Sequence, residues 1–407
     1  MQSARVTFGA AVRGRAAAGL WRLRASAARG GMVRPAGAPQ AFAAGRRVLH
    51  VLLAGSGPVV GWGVGSHDLA LPGALARALA ATTGRGVIVD VMAQPSAGVR
   101  RLRRILRSRR LPRYDVVVLS AAVEDAVRFV PPARWAHRVG ALLHSTRQHS
   151  SAVIAWLGAP PIRGFDARHA RAQEAIRAHA DRLNFVARLE CRDAGALFVP
   201  LADPPHVDAA RHRSPADYLF WARTLADALA PALEERPPAP APVQWHSADR
   251  AEAIDRLRLS ERTNDPRLSG LVGTAKRTLG TEIAMFTVLD DRREWALAAS
   301  GAARLEFPIE QSVCLYTVQT SDGMAVCDAQ LDERFAGSPL ASGPAALRYY
   351  AGYPVEAPDG TRIGAVCVFS RKPRSQQEAE ADLDVLRELA LLAQRELWQW
   401  QPGGGDS

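Results

Sequence analysis

Only two lysines, Lys276 and Lys372, occur among 407 residues, and no acidic residue precedes Asp68. The net charge of +12 therefore rests almost wholly on arginine. In a chain rich in Ala, Gly and Pro this is a compositional bias, so arginine alone carries little functional weight. Cysteine is scarce too: Cys191, Cys314, Cys327 and Cys367, none in C-x-x-C spacing and none clustered with histidine. That excludes a zinc site of recognisable spacing and a disulfide-built secreted scaffold. Free, mostly buried thiols in a reducing cytoplasm are expected, with no metal and no identified cofactor. No apolar run approaches the length of about 18 residues that a membrane-spanning helix requires.

What is present begins with a basic tail. Nine arginines precede Asp68. As a helix, "RGRAAAGLWRLRASAARG" would be amphipathic enough for weak contact with an anionic membrane surface. It lacks the compact apolar core and small-residue cleavage site of a secretory signal. Residues 1–46 are read as a poorly ordered, solvated tail. A second break is "EERPPAPAPVQW", whose alternating Pro and Ala favour an extended spacer. It separates an expected domain over 47–233 from another over 250–400, with a linker at 234–249 and a flexible end at 401–407.

Between 47 and 233, apolar runs alternate with amphipathic stretches. "RVLHVLLAG", "GVIVDVMA", "YDVVVLSAA", "SAVIAWLGAPP" and "ALFVPLA" read as strands. "LPGALARALAATTG", "VRRLRRILRSRR", "PARWAHRVGALLHSTRQ", "ARAQEAIRAHADRLNFVAR" and "PADYLFWARTLADALAPAL" read as helices. Such alternation predicts an α/β fold, a flavodoxin-like doubly wound parallel sheet. Functional groups then belong at the carboxyl ends of strands, where Ser56, Gly98, Glu124 and Pro160 fall.

Three stretches, "GSGPVVGWGV", "VVVLSAAVEDAV" and "HRSPADYLFWARTLA", together make this region resemble the SGNH (GDSL-type) hydrolases. The resemblance implies Ser56 as nucleophile, Gly98 as the catalytic-site glycine of the family's Gly block, and His212 with Asp208 as the base and its orienting carboxylate. The residues also depart from that pattern. Without a gap, the nucleophile position falls on Gly57 and Ser56 takes the preceding one. Glu124 replaces the oxyanion-donating Asn, with Asp125 retained. An ionised Glu accepts hydrogen bonds only and repels developing negative charge. Ala209, not Asp, stands three residues before His212, and a literal Asp203-x-x-His206 comes six residues early. These departures favour a domain that keeps the fold and has lost the usual machinery, with Ser56 serving a tight turn. The glycine-rich loop is neither G-x-G-x-x-G nor a P-loop, and Pro58 removes an amide that could cradle phosphate. The arginine face of "RRLRRILRSRRLPR" lacks interleaved aromatics for base stacking. It is read as solvated, and no specific nucleic-acid binding is expected.

Beyond the linker, "SVCLYTVQTSDGMAVCDAQLDERFAGSPLASGPAALRYYAGYPVEAPDGTRIGAVCVF" is similar to bacterial GAF domains. The matching positions include Cys314, Asp328, Asp332, Arg334, Phe335, Tyr350, Gly352, Pro354, Gly360, Gly364 and Cys367. The resemblance implies an α+β domain with a central antiparallel sheet, flanked by amphipathic helices. It also implies a small-molecule ligand, for which Cys314, Tyr316, Asp328, Arg334 and Tyr350 are candidate pocket residues, and a homodimer through the GAF helices. Asp332 and Arg334 could instead pin their loop as an ion pair.

The combined expectation is a bacterial regulatory or sensory protein that joins a GAF domain to a degenerate SGNH-like domain. A GAF-regulated serine esterase or acyl hydrolase is one alternative, and a non-catalytic dimeric scaffold is the other.

Overall fold

The computed structural model describes residues 32–45, 47–107, 111–161, 170–204, 213–234, 247–262, 265–302, 306–320, 322–336 and 347–400. They fall into two compact units that meet in sequence between 234 and 247, with the short stretch 44–48 grouped with the second. Most of the tail, the Pro/Ala spacer, His206, Asp208 and His212 lie outside the described residues.

The first unit alternates strand and helix. In chain order come β1 (Gln40–Ala43), β2 (Leu49–Gly55), α1 (Leu71–Thr83), β3 (Val87–Ala93), α2 (Val99–Leu106), β4 (Val116–Ser120) and α3 (Ala122–Val127). Then follow α4 (Pro132–Gln148), β5 (Val153–Leu157), α5 (Ala170–Ala194), β6 (Leu197–Val199) and α6 (Pro215–Glu234). The sheet order is β1-β3-β2-β4-β5-β6, parallel throughout except for β1. From β3 to β6 this is the flavodoxin-like arrangement.

Period-two alternation on β2 shows how apolar runs become a sheet buried on both faces. Leu49, Val51 and Leu53 join one core with α1 and α6. Leu52 and Ala54 join the other with α2, α4 and α5. Burying each such large apolar side chain is worth roughly 1.5–3 kcal/mol. In the second core Trp135 meets Trp156 edge-on, with ring centroids 5.7 Å apart.

The edge strand β1 departs from the sequence expectation, which placed its residues in the tail. Gln-Ala-Phe-Ala has no alternating pattern of its own. It becomes a strand by antiparallel pairing with β3, and Gln40 Nε2 donates to the buried Asp90 at 2.9 Å.

The second unit comprises α7 (Ser247–Leu257), α8 (Pro266–Leu279), β7 (Ile283–Leu289), β8 (Arg293–Ser300), β9 (Glu306–Pro308), α9 (Cys314–Thr317), β10 (Met324–Val326), β11 (Tyr349–Glu356), β12 (Arg362–Ser370) and α10 (Gln376–Gln399). Its sheet, β10-β11-β12-β7-β8-β9, is antiparallel throughout. Helices α7, α8 and α10 cover one face; α9 and the segment around Phe335 cover the other. Local chemistry sets the helix ends. Asp265 caps α8 with Pro266 in its first turn, and Ser375 and Glu378 form a capping box on α10. A turn at Asp359-Gly360 joins β11 to β12; Asp359 accepts from the Thr361 amide at 2.9 Å.

Candidate functional site

In the first unit the parallel strands deliver β2 and β4 side by side, and their carboxyl ends form the crevice where such sheets hold ligands. Ser56 sits immediately beyond β2. Its amide donates to the Ser120 carbonyl at 2.7 Å, and the Gly55 carbonyl accepts from the Gln94 amide at 2.7 Å. Gly55 has φ +136°, and a Cβ there would lie 1.8 Å from the Ser120 carbonyl oxygen. Only glycine allows β2 and β4 to approach this closely at the bend. Ser56 itself is 0% exposed, and its hydroxyl has no hydrogen-bond partner among the described residues. The side chain that a substrate would have to reach is thus buried.

Glu124 and Asp125 begin α3, and both are buried. Glu124 lies 3.6 Å from Arg128, one helical turn on. Asp125 carries the more consequential contacts. Its Oδ2 accepts the Val99 amide at 2.9 Å and the Trp135 indole N–H at 3.0 Å. The carboxylate therefore caps α2 and anchors α4. Gly98 is needed for this approach, since a Cβ on it would meet Asp125 Oδ1 at 2.2 Å. Gly98, a candidate catalytic-site residue from sequence, is thus the contact point of a structural carboxylate. Of the candidate base residues, His212, Asp208 and His206 lie outside the described residues, whereas Asp203 is exposed.

In the second unit the five candidate pocket residues form three groups. Cys314 and Tyr350 are buried together: Tyr350 donates to Cys314 Sγ at 3.4 Å, and Cys314 Sγ lies 3.7 Å from Cys367 Sγ. Thr317 Oγ1 is 2.5 Å from the Tyr350 hydroxyl. Burial holds the Cys314 thiol and the Tyr350 phenol well above their ordinary ranges, so both stay neutral. The second group lies near the surface. Arg334 forms a two-point pair with Asp332 at 2.9 and 2.6 Å and lies 5.0 Å from the Phe335 ring centre; Tyr316 meets Phe335 edge-on. The third is Asp328, held by Arg348, whose Nε donates at 3.1 Å. Among the described residues, no three His, Cys, Asp or Glu side chains converge as a metal site.

These pairs carry a pH signature. The Arg348 hydrogen bond holds the Asp328 carboxyl below its usual 3.8, and Arg334 does the same for Asp332. A carboxyl depressed in the folded state stabilises above its unfolded pKa, and that stability is lost as pH falls through the folded value. The urea midpoint of the second unit is therefore expected to fall on acidification below about pH 4. Arg348→Gln should flatten that dependence; an equally steep acid loss in the variant would count against the assignment.

Asp125 was visible in the sequence only as a retained family position. Its partners Val99 and Trp135 stand 26 residues before it and 10 after it, and nothing local marks them.

Comparison with known proteins agrees with the two folds. A model of the GDSL-like lipase/acylhydrolase family matches residues 58–227, and a GAF domain model matches 265–397. A curated relative, a cyclic di-GMP phosphodiesterase of Pseudomonas aeruginosa, is 33% identical over 153 residues. That match covers 38% of this chain and 26% of the relative, so the chain spans about a quarter of that protein's length. Among solved structures, the carbohydrate acetylesterase Est24 of Sinorhizobium meliloti superposes with a TM-score of 0.37 at 14% identity, covering 45% of this chain and 99% of that one. An inhibitor-bound aryl esterase of M. smegmatis gives 0.36 at 14% identity, covering 44% and 97%. The antiparallel second sheet with its flanking helices, the doubly wound first sheet and the two family matches agree: the chain carries a GDSL-like lipase/acylhydrolase domain followed by a GAF domain.

Proposed function

We propose that this is a bacterial regulatory protein in which the GAF domain senses a small molecule and the GDSL-like domain no longer hydrolyses esters. The observation that carries the reading is the full burial of Ser56, one residue past the Gly55 bend. Acyl transfer needs a nucleophile in reach of both substrate and base. The Glu124 carboxylate, where the family places an oxyanion donor, adds to the argument. The Pseudomonas relative, named as a phosphodiesterase of a cyclic dinucleotide, supports a signalling context. In this reading the protein is cytoplasmic and dimerises through the GAF helices, which sedimentation of the purified chain would test. The linker is taken to separate two independently folding units.

The expected result is that p-nitrophenyl acetate and butyrate are turned over no faster by the wild-type chain than by Ser56→Ala. Robust hydrolysis abolished by Ser56→Ala would instead establish the GAF-regulated esterase.

A further inference from the structure

Arg100, Arg101, Arg104 and Arg107 of α2 and its C-cap are exposed and Arg103 is partly buried, yet their guanidinium groups converge on one concavity. Together with Arg128 and Arg138 they line a cavity of about 620 Å³ between α2, the end of α3 and α4. Positions 100, 103, 104 and 107 share one helical face by their spacing, and Arg101 joins them in the lining. Seven guanidinium groups thus surround one concavity, with Asp125 the sole carboxylate among the lining residues. Asp125 Oδ2 is already occupied by the Val99 amide and the Trp135 indole. Among the described residues, the five arginines from 100 to 107 and Arg138 make no ion pair. The Nε of Arg103 is buried with no hydrogen-bond partner. Lining one concavity with like charges is unfavourable, and a buried unpaired donor adds to the cost. A bound polyanion would relieve both.

We infer that this cavity binds a small molecule bearing two or more phosphate groups. Guanidinium forks match phosphate oxygens in two-point geometry, and the volume lies within the usual range for small-molecule sites. Val99 and Val130 supply apolar wall. The concave shape and the lack of an aromatic lining residue separate this site from a nucleic-acid platform, which needs an extended track and stacking surfaces. The site is also not a helix N-terminus, because Asp125 already caps α2. The inference does not depend on the state of Ser56 and leaves the GAF pocket aside.

The test is calorimetric titration of the full chain with inorganic tripolyphosphate, with ATP and orthophosphate in parallel. The double variant Arg103→Gln/Arg107→Gln is compared with Arg192→Gln, an exposed arginine elsewhere on the unit, and thermal melts check that each variant folds. Saturable one-to-one binding of tripolyphosphate is expected, weaker for orthophosphate and reduced about tenfold or more in the double variant. Arg192→Gln should bind as wild type. A tighter response to ATP than to tripolyphosphate would extend the site to nucleotides. Absence of saturable binding at millimolar tripolyphosphate, or binding unchanged in a folded double variant, overturns the proposal. So does tighter, arginine-dependent binding of single-stranded RNA or of phosphatidylglycerol vesicles, which would make the patch a macromolecular surface.

Discussion

Asp125→Ala is expected to destabilise the GDSL-like domain by about 3–5 kcal/mol. The carboxylate accepts two buried donors, the Val99 amide and the Trp135 indole N–H. Removing it leaves both unsatisfied, at roughly 1–3 kcal/mol each, and opens a small void beside Gly98. Both helices it holds, α2 and α4, belong to the same core, so the loss should be cooperative. Asp125→Asn keeps one oxygen able to accept and should lose about half as much. Gly98→Ala should reproduce much of the alanine effect, because its Cβ would displace the carboxylate. Urea unfolding followed by tryptophan fluorescence measures all three. A change below about 1 kcal/mol for Asp125→Ala would mean that water or a neighbour replaces the lost acceptor.

The second large effect is expected in the GAF domain. Asp382 on α10 accepts from the Tyr349 hydroxyl at 2.6 Å and pairs with Arg374, which also donates to the Leu279 carbonyl at the end of α8. One carboxylate thus ties α10 to β11 and, through Arg374, to α8. Asp382→Ala strands a half-buried guanidinium and a buried phenol, at about 3–5 kcal/mol. Burial nevertheless pushes the Asp382 carboxyl above its usual 3.8, outweighing the lowering effects of Tyr349 and Arg374. A carboxyl raised in this way is easier to neutralise in the folded than in the unfolded state. It therefore favours folding as pH falls, opposite in sign to Asp328. Asp382→Asn, neutral and still an acceptor for Tyr349, should cost only about 1 kcal/mol. If the Asn variant were as damaging as the alanine one, the charge and not the hydrogen bond would be what holds the helices.

Sequence patterns exposed most of the architecture because each strand from β2 to β6 is a mostly apolar run, interrupted only by single polar residues such as His50 and Asp90, and the antiparallel GAF strands are separated by turn residues. The strands β1 and β9 escaped, because Gln-Ala-Phe-Ala and Glu-Phe-Pro, unlike the equally short apolar β6, carry no apolar run and form only by pairing with a neighbour. The site was less legible for a physical reason. Arginine periodicity on α2 can be read along one helix, but Arg128 and Arg138 arrive from two others, and only the packed layer makes the surface concave. The glycines flanking Ser56 marked a tight turn, yet nothing local told whether the hydroxyl would be exposed or buried.

One contact bears on the order in which the GDSL-like domain assembles during synthesis. Helix α1 packs against α6, and the Tyr218 hydroxyl donates to the Trp62 carbonyl at 2.8 Å across 156 residues. The side of α1 that packs on α6 therefore stays uncovered on the nascent chain until α6 emerges. Such long-range closure slows folding and prolongs exposure of sticky surface. Any fragment ending before Pro215 would keep the parallel sheet's sequence intact yet lack the helix that seals one face. Such a fragment should aggregate, whereas one extended through Glu234 should remain monodisperse.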